Sequence, residues 1–91
     1  MHAVVVKVTI GDVEKAEKEL HERVVPAASG APGFVTAHWT RSDDGSNGLS
    51  MLVFDSEDDA RAMAERIRGA DWMPQSVTLE SAEVREVIAN A

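Results

Sequence analysis

The side chains that could exchange a proton near neutral pH are few and are spread along the chain. There are three histidines, His2, His21 and His38, and no cysteines. The absence of thiols excludes disulfides, thiolate nucleophiles and cysteine-ligated metal sites. His38 lies in a predicted strand, where an imidazole facing a closed cavity could act as an acid or base. The alternative interpretation is a partly exposed histidine with structural hydrogen bonds only.

The remaining polar residues form no recognisable catalytic or metal-binding pattern. Glu80, Glu83 and Glu86 are close in sequence, but alternation along a strand would divide them between two faces. The acidic run 57–59 is typical of the N-terminus of a helix. Phosphate-binding loops, Ser/His/Asp motifs and dinucleotide fingerprints are missing from the sequence. We therefore expect neither a bound metal nor a cofactor.

Aromatic and methionine side chains are the candidates for lining an apolar binding pocket. With His38 beside them, five residues are expected to line a cavity between sheet and helices: Phe34, Met51, Phe54, Met63 and Trp72. Packing in the core is the alternative for the methionines, and packing over a helix end is the alternative for Trp72. Trp39 points away from His38 if the strand alternates regularly, so we expect it in a subunit interface, with a lid or stacking role as the alternative.

The elements that position these side chains follow from the periodicity of the apolar residues. They are a strand at 2–10, a helix from Asp12 to about Val25, strands at 34–41 and 49–54, a helix capped by Ser56, and a strand at 76–88. Pro26 disfavours helix in the residue before it, so the first helix is expected to end there. The apolar phase of the last strand changes near Ser81, which indicates a bulge or bend, or else a helix over 82–89.

The order βαββαβ predicts a ferredoxin-like α+β fold in which an antiparallel sheet carries two helices on one face. A length of 91 residues corresponds to a single domain, 1–91. The other face of the sheet would expose valine, alanine, leucine and methionine side chains that nothing in the same chain covers. We therefore expect a homodimer that pairs two sheet faces across a two-fold axis.

Charge and hydropathy exclude several classes of function. Sixteen acidic against nine basic residues give a net charge of −7, which argues against nucleic-acid binding. The longest apolar runs, 3–6 and 51–54, are too short to cross a membrane. Because the chain does not open with the pattern of a secretory signal, we expect a cytoplasmic location.

Three stretches of the sequence resemble one known group of proteins. They are the valine-rich first strand that ends in Gly11-Asp12, the segment Ala31-Pro32-Gly33-Phe34, and the segment 52–60 with the sequence LVFDSEDDA. Together they resemble the dimeric α/β-barrel superfamily, and within it the small antibiotic biosynthesis monooxygenase-like proteins. The resemblance covers nearly the whole chain and implies a ferredoxin-like domain that dimerises into a barrel.

The resemblance implies a cofactor-independent oxygenase that acts on a hydrophobic aromatic small molecule. Such an enzyme needs a base, and His38 is the candidate that this sequence offers. Active members usually have a tryptophan where Phe54 stands, and often a histidine in or after the second helix, and this chain has neither. Haem-degrading members use an asparagine on the first strand, which is also missing here. Two alternatives therefore stay open: a non-catalytic homodimer that binds or senses a small molecule, and an isomerase or lyase that uses His38 for proton transfer.

Overall fold

Residues 1–69 and 76–91 are described in the computed structural model. The elements are β1 (His2–Ile10), α1 (Val13–Glu19), a π-helical turn (Leu20–Val24), α2 (Val25–Ser29), β2 (Phe34–Arg41), β3 (Asn47–Phe54), α3 (Glu57–Arg68) and β4 (Val77–Glu86). The first two helices and the π-helical turn run together as one helical segment, 13–29. Across these described ranges, no helix is long and apolar enough to cross a bilayer.

The four strands form one sheet in the order β2-β3-β1-β4. All neighbouring strands are antiparallel, and β1 lies in the centre with His2 opposite Phe54 on one side and opposite Glu86 on the other. The buried side chains of α3 and most of those of the sheet belong to a single core cluster, which does not include Ala3 and Val53. The predicted ferredoxin-like α+β fold is therefore confirmed.

The C-terminal element is a strand with a bulge, and the alternative of a helix over 82–89 is wrong. Leu79 lies opposite Val8 while Ser81 lies opposite Lys7, so Glu80 is an extra residue in the ladder. The bulge explains the change of apolar phase near Ser81. It allows Leu79 and Ala82, three positions apart, both to pack against the core.

The first helical segment continues beyond Pro26, which the sequence did not predict. A proline inside a regular α-helix lacks the N–H for the bond to the fourth residue back, and its ring collides with that carbonyl. Here the π-helical turn comes just before it, and the Val25 N–H bonds to the Leu20 carbonyl, five residues back. Pro26 then lies in the first turn of α2, where its missing donor is not needed.

The packing on the helix side of the sheet is uneven. Helix α3 buries Ala60, Met63, Ala64 and Ile67 against the sheet, where Val4, Leu52 and Phe54 are also fully buried. Helix α1, by contrast, has no buried residue. The sheet is therefore closely covered beneath α3 and left open beneath α1.

Candidate binding site

A cavity of about 680 Å³ lies between the first helical segment and the sheet. We call it the helix-side cavity. Its apolar lining includes Val6, Val8, Ile10, Trp39, Leu52, Ile67 and Val77 on the sheet and core side, and Val13, Ala16, Leu20, Val24 and Val25 on the helical side. Leu49 of the third strand also borders it. This volume lies within the range of about 300–1,000 Å³ that is usual for small-molecule sites.

Polar side chains, three of them charged, line the same cavity where α1 approaches the end of β2. Glu17 and His21 come from the helical segment, and Arg41 and Asp43 come from the end of β2 and the residues after it. An ion pair joins the two sides, with 3.8 Å between the Arg41 Nη1 and Glu17 Oε1 atoms. Because residues four apart are neighbours on a helix, His21 lies one turn along from Glu17. The cavity thus combines an apolar body with a small group of charged side chains.

Trp39 is half-buried and lines the helix-side cavity, so it lies on the helix side of the sheet, and its place in a subunit interface stays a prediction. Trp39 lies opposite Ser50, and Ala37 lies opposite the fully buried Leu52. The cause is an irregularity in β2. Phe34 lies opposite Phe54, but Thr36 lies opposite Val53, so the alternation of faces shifts by one residue at Val35.

The same irregularity places His38 on the other side of the sheet. His38 lies opposite Met51, which in turn lies opposite Val5. We call this surface, with Val5, His38, Leu49 and Met51, the outer sheet face. The His38 side chain is exposed there, and Met51 is 46% exposed. The prediction that His38 and Met51 line a cavity between sheet and helices is therefore wrong, and a role for His38 in a reaction stays a prediction.

Two other predicted pocket residues are fully buried in the core, beyond the reach of a ligand. Phe54 and Met63 are 0% and 1% exposed. The Phe34 ring meets the Phe54 ring edge to face, with 6.0 Å between centroids and 82° between planes. None of the three lines the helix-side cavity. Trp72, the remaining candidate, lies outside the described residues.

The sequence interpretation missed the charged residues of the cavity. It singled out neither Glu17 nor Arg41, and these residues are exposed where they border the cavity, as is His21. The apolar stripe of the helix carried no signal for the cavity, because Val13, Ala16, Leu20 and Val24 are no smaller as a set than the stripe with which α3 packs closely.

Two carboxyl groups elsewhere have lowered pKa values with structural causes. Hydrogen bonds from the Ser46 backbone and hydroxyl, and from the Ser42 hydroxyl, lower the pKa of Asp44 in the β2–β3 turn to about 2. A hydrogen bond and the charge of Arg61 lower the pKa of Glu57, and the nearby His2 adds to this. Among residues 1–69 and 76–91, no three His, Asp or Glu side chains are grouped to hold a metal ion.

Comparisons with known proteins bear on the fold. No protein-family model and no curated protein matches the chain. Among solved structures, it is similar to a monooxygenase from the gene ActVA-Orf6 of Streptomyces coelicolor, crystallised in complex with the ligand nanaomycin D. The similarity covers 99% of this chain and 92% of that chain, with a TM-score of 0.59 and 19% sequence identity. The chain therefore has the fold that its resemblance to monooxygenase-like proteins implied.

Proposed function

We propose that this protein binds a flat, hydrophobic aromatic molecule in the helix-side cavity and oxidises it with molecular oxygen, without a cofactor. The observation that carries the proposal is the cavity itself, about 680 Å³ of largely apolar space beneath α1. The fold supports it, because a monooxygenase of this fold was crystallised with nanaomycin D. A cytoplasmic location, as expected from the sequence, is part of the proposal.

The lining of the cavity suits an aromatic ligand better than a polar one. Valine and leucine side chains supply apolar surface, and transfer of ligand surface out of water stabilises binding by about 25 cal/mol per Å². Trp39 adds an aromatic ring on the sheet side, against which a fused ring system can stack. Such a ligand would displace water from beneath α1, which also protects reactive intermediates from hydrolysis and stray proton transfer.

The proposed reaction needs a substrate whose conjugate base can give an electron to oxygen. In an anthrone, a base removes one proton from the ring CH₂ group, and the anion transfers one electron to O₂. The organic radical and superoxide then form a C–O bond, and protonation gives a hydroperoxide. Loss of water breaks the O–O bond and the second C–H bond and leaves a quinone. One substrate and one O₂ give one quinone and one water, and no external reductant is consumed.

His21 is the residue that we propose as the base in this cavity. His21 is among the residues that line the cavity, at its exposed rim, and imidazole is the side-chain type that exchanges protons near neutral pH. The sequence pointed instead to His38, which lies on the outer sheet face. His38 therefore provides the matched comparison, since the same substitution can be made on the opposite side of the same sheet.

The test is the turnover of 1,8-dihydroxyanthrone, followed by quinone absorbance and oxygen uptake and corrected for oxidation without protein. We expect one O₂ consumed per quinone, a large loss of rate in His21→Gln, and an unchanged rate in His38→Gln. Loss of rate in His38→Gln but not in His21→Gln would move the reaction to the outer sheet face. If the rate with the wild type were no faster than the rate without protein, the oxygenase proposal would be refuted for this substrate class.

A non-catalytic binding protein is the second candidate, and one observation favours it. Phe54, where active proteins of the resembled group usually have a tryptophan, is fully buried and presents no polar atom to a ligand. In this case, 1,8-dihydroxyanthrone would raise the melting temperature without being consumed. Conversion that continues without oxygen would instead indicate the isomerase or lyase alternative.

We also propose that a second copy of the chain covers the outer sheet face. Leu49 and Met51 are 51% and 46% exposed there, with the half-buried Val5 between β3 and β4. Adjacent apolar side chains of this size on a sheet surface are typical of an interaction site. A two-fold axis through the face would bring the same residues of two copies together and remove them from water.

A further inference from the structure

We infer that Arg41 recognises a carboxylate group on the molecule that occupies the helix-side cavity. This inference rests on the proposed function, since it assigns a chemical class to the ligand of the same cavity. Arg41 is the one lysine or arginine that lines this cavity in the described part of the chain. The inference therefore predicts that the ligand is an aromatic acid, with its ring system in the apolar part of the cavity.

The position of Arg41 on β2 matches the dimensions of such a ligand. Trp39 and Arg41 lie opposite Ser50 and Gly48, so they are two residues apart on the same face of the strand. Two residues of a strand span roughly 6.6 Å. A system of two or three fused rings is long enough to span this distance. Stacked against Trp39, it can therefore place a carboxylate on its edge next to the guanidinium of Arg41.

The current partner of Arg41 is weakly held and can be displaced. The Arg41 Nη1 and Glu17 Oε1 atoms are 3.8 Å apart, and the two side chains are 44% and 57% exposed. An exposed ion pair of this kind contributes only about 0–1 kcal/mol. An arginine can instead make two parallel hydrogen bonds to one carboxylate, which is the stronger arrangement. A ligand carboxylate would thus replace a single long contact with a better one.

The charge of the whole chain makes this local recognition selective. With a net charge of −7, the protein repels anions in general. Glu17 and Asp43 at the cavity add to that repulsion, and Glu17 competes directly for Arg41. Affinity for a carboxylate must therefore come from Arg41. Removal of the competing Glu17 charge must increase that affinity.

The experiment compares two probes of nearly equal size, anthraquinone-2-carboxylate and the neutral 2-(hydroxymethyl)anthraquinone. Their dissociation constants are measured by calorimetry with the wild type and with Arg41→Gln, Glu17→Gln and Arg66→Gln. Arg66 is an exposed arginine of α3 that does not line the cavity, and it serves as the control. We expect the wild type to bind the carboxylate at least about tenfold more tightly than the neutral probe.

Each variant has a distinct expected result. Arg41→Gln should abolish the preference by weakening the carboxylate complex alone, Glu17→Gln should tighten that complex, and Arg66→Gln should change neither probe. Unchanged affinity for the neutral probe shows that a variant is folded. Should Arg41→Gln fail to fold, Glu17→Gln alone decides, and an unchanged carboxylate affinity would overturn the inference.

The two levels of the proposal fail in different ways. Equal wild-type affinities for the two probes, or a preference that survives Arg41→Gln, would overturn the role of Arg41 and leave the binding function standing. If the wild type bound neither probe, the proposed function would fail and this inference with it.

Discussion

In the proposed binding site, Trp39 is the side chain against which we expect the ligand to stack. It is half-buried, it belongs to the sheet, and it lies two residues before Arg41 on the same face. Glu17 and His21 of the helical segment line the same cavity and lie one turn apart. Aromatic binding and proton transfer are therefore assigned to different elements, the strand and the helix.

Trp39→Ala should weaken the binding of 2-(hydroxymethyl)anthraquinone at least about tenfold, because it removes both apolar contact area and ring stacking. Calorimetric titration of the neutral probe measures this without interference from Arg41. His38→Ala, one residue away but on the outer sheet face, is the control and should leave the dissociation constant unchanged. Equal losses in both variants would contradict the assignment of the ligand to the helix side.

Asp44 should make the β2–β3 turn sensitive to acid. Its pKa is lowered from 3.8 to about 2 by hydrogen bonds with Ser46 and Ser42, so between these values the unfolded chain binds more protons than the folded one. The stabilisation by this carboxylate is complete above about pH 4 and is lost as the pH falls through about 2. Urea unfolding at a series of pH values should show the advantage of the wild type over Asp44→Asn shrinking in that window. A difference independent of pH would contradict the role of the turn.

At the scale of the elements, the connection into β2 depends on a close contact with α3. Gly33 has a φ of 76°, and its carbonyl accepts the Asp55 N–H at 2.8 Å. An added Cβ at this position would overlap the Asp59 carboxylate. Asp59 itself is fixed at the start of α3, because its backbone N–H and its carboxylate both bond to the Ser56 hydroxyl. The glycine of the Ala31–Phe34 motif therefore has two separate structural reasons to be a glycine.

Gly33→Ala should lower the free energy of unfolding by at least about 2 kcal/mol, through the left-handed backbone and the overlap together. In the Asp59→Ala background the overlap with the carboxylate is gone and only a 3.1 Å contact with the Cβ of residue 59 is left, so the cost should fall to about 1–2 kcal/mol. Gly11→Ala is the control, since its Cβ would meet only the Ser76 carbonyl at 3.4 Å. Denaturant unfolding measures all of these variants. The same cost for Gly33→Ala in both backgrounds would exclude the contact with Asp59.

The sequence predicted the elements well because their signals are local. The helix start near Asp12, the Ser56 cap and the bulge near Ser81 each depend on a few adjacent residues, and all are present. The faces of β2 were misassigned because the irregularity at Val35 has no signal in its own sequence. It follows from how β2 pairs with β3, and a shift of one residue reverses every later side chain. This single feature moved His38 out of the cavity and Trp39 into it.

At the scale of the whole molecule, we propose different roles for the two faces of the sheet, ligand binding on the helix side and dimerisation on the outer sheet face. The helix side is closed by α3 and open beneath α1, whereas the outer sheet face exposes Leu49 and Met51 to water. A small domain that leaves such side chains exposed gains stability when a second copy covers them. Dimerisation through the outer sheet face would leave the helix-side cavity of each copy accessible to ligand.

Met51→Glu should convert the dimer into a monomer at micromolar concentration, because it would bury an unpaired charge in each half of the interface. Sedimentation of the wild type should give twice the chain mass of 9.8 kDa, and that of the variant should give the single mass. Ser29→Glu, which adds the same charge at the exposed end of α2, should stay dimeric. A wild type that sediments as a monomer would refute the pairing of sheet faces.

The helix-side cavity as the ligand site is tested most directly by titration of the protein with 2-(hydroxymethyl)anthraquinone while its N–H signals are followed by NMR. The binding site proposed here predicts that the largest shifts fall on the Trp39 indole and on the amides of Val8, Leu20 and Val24, which line the cavity. Shifts centred on His38 and Met51 of the outer sheet face, or no saturable shifts at all, would contradict it.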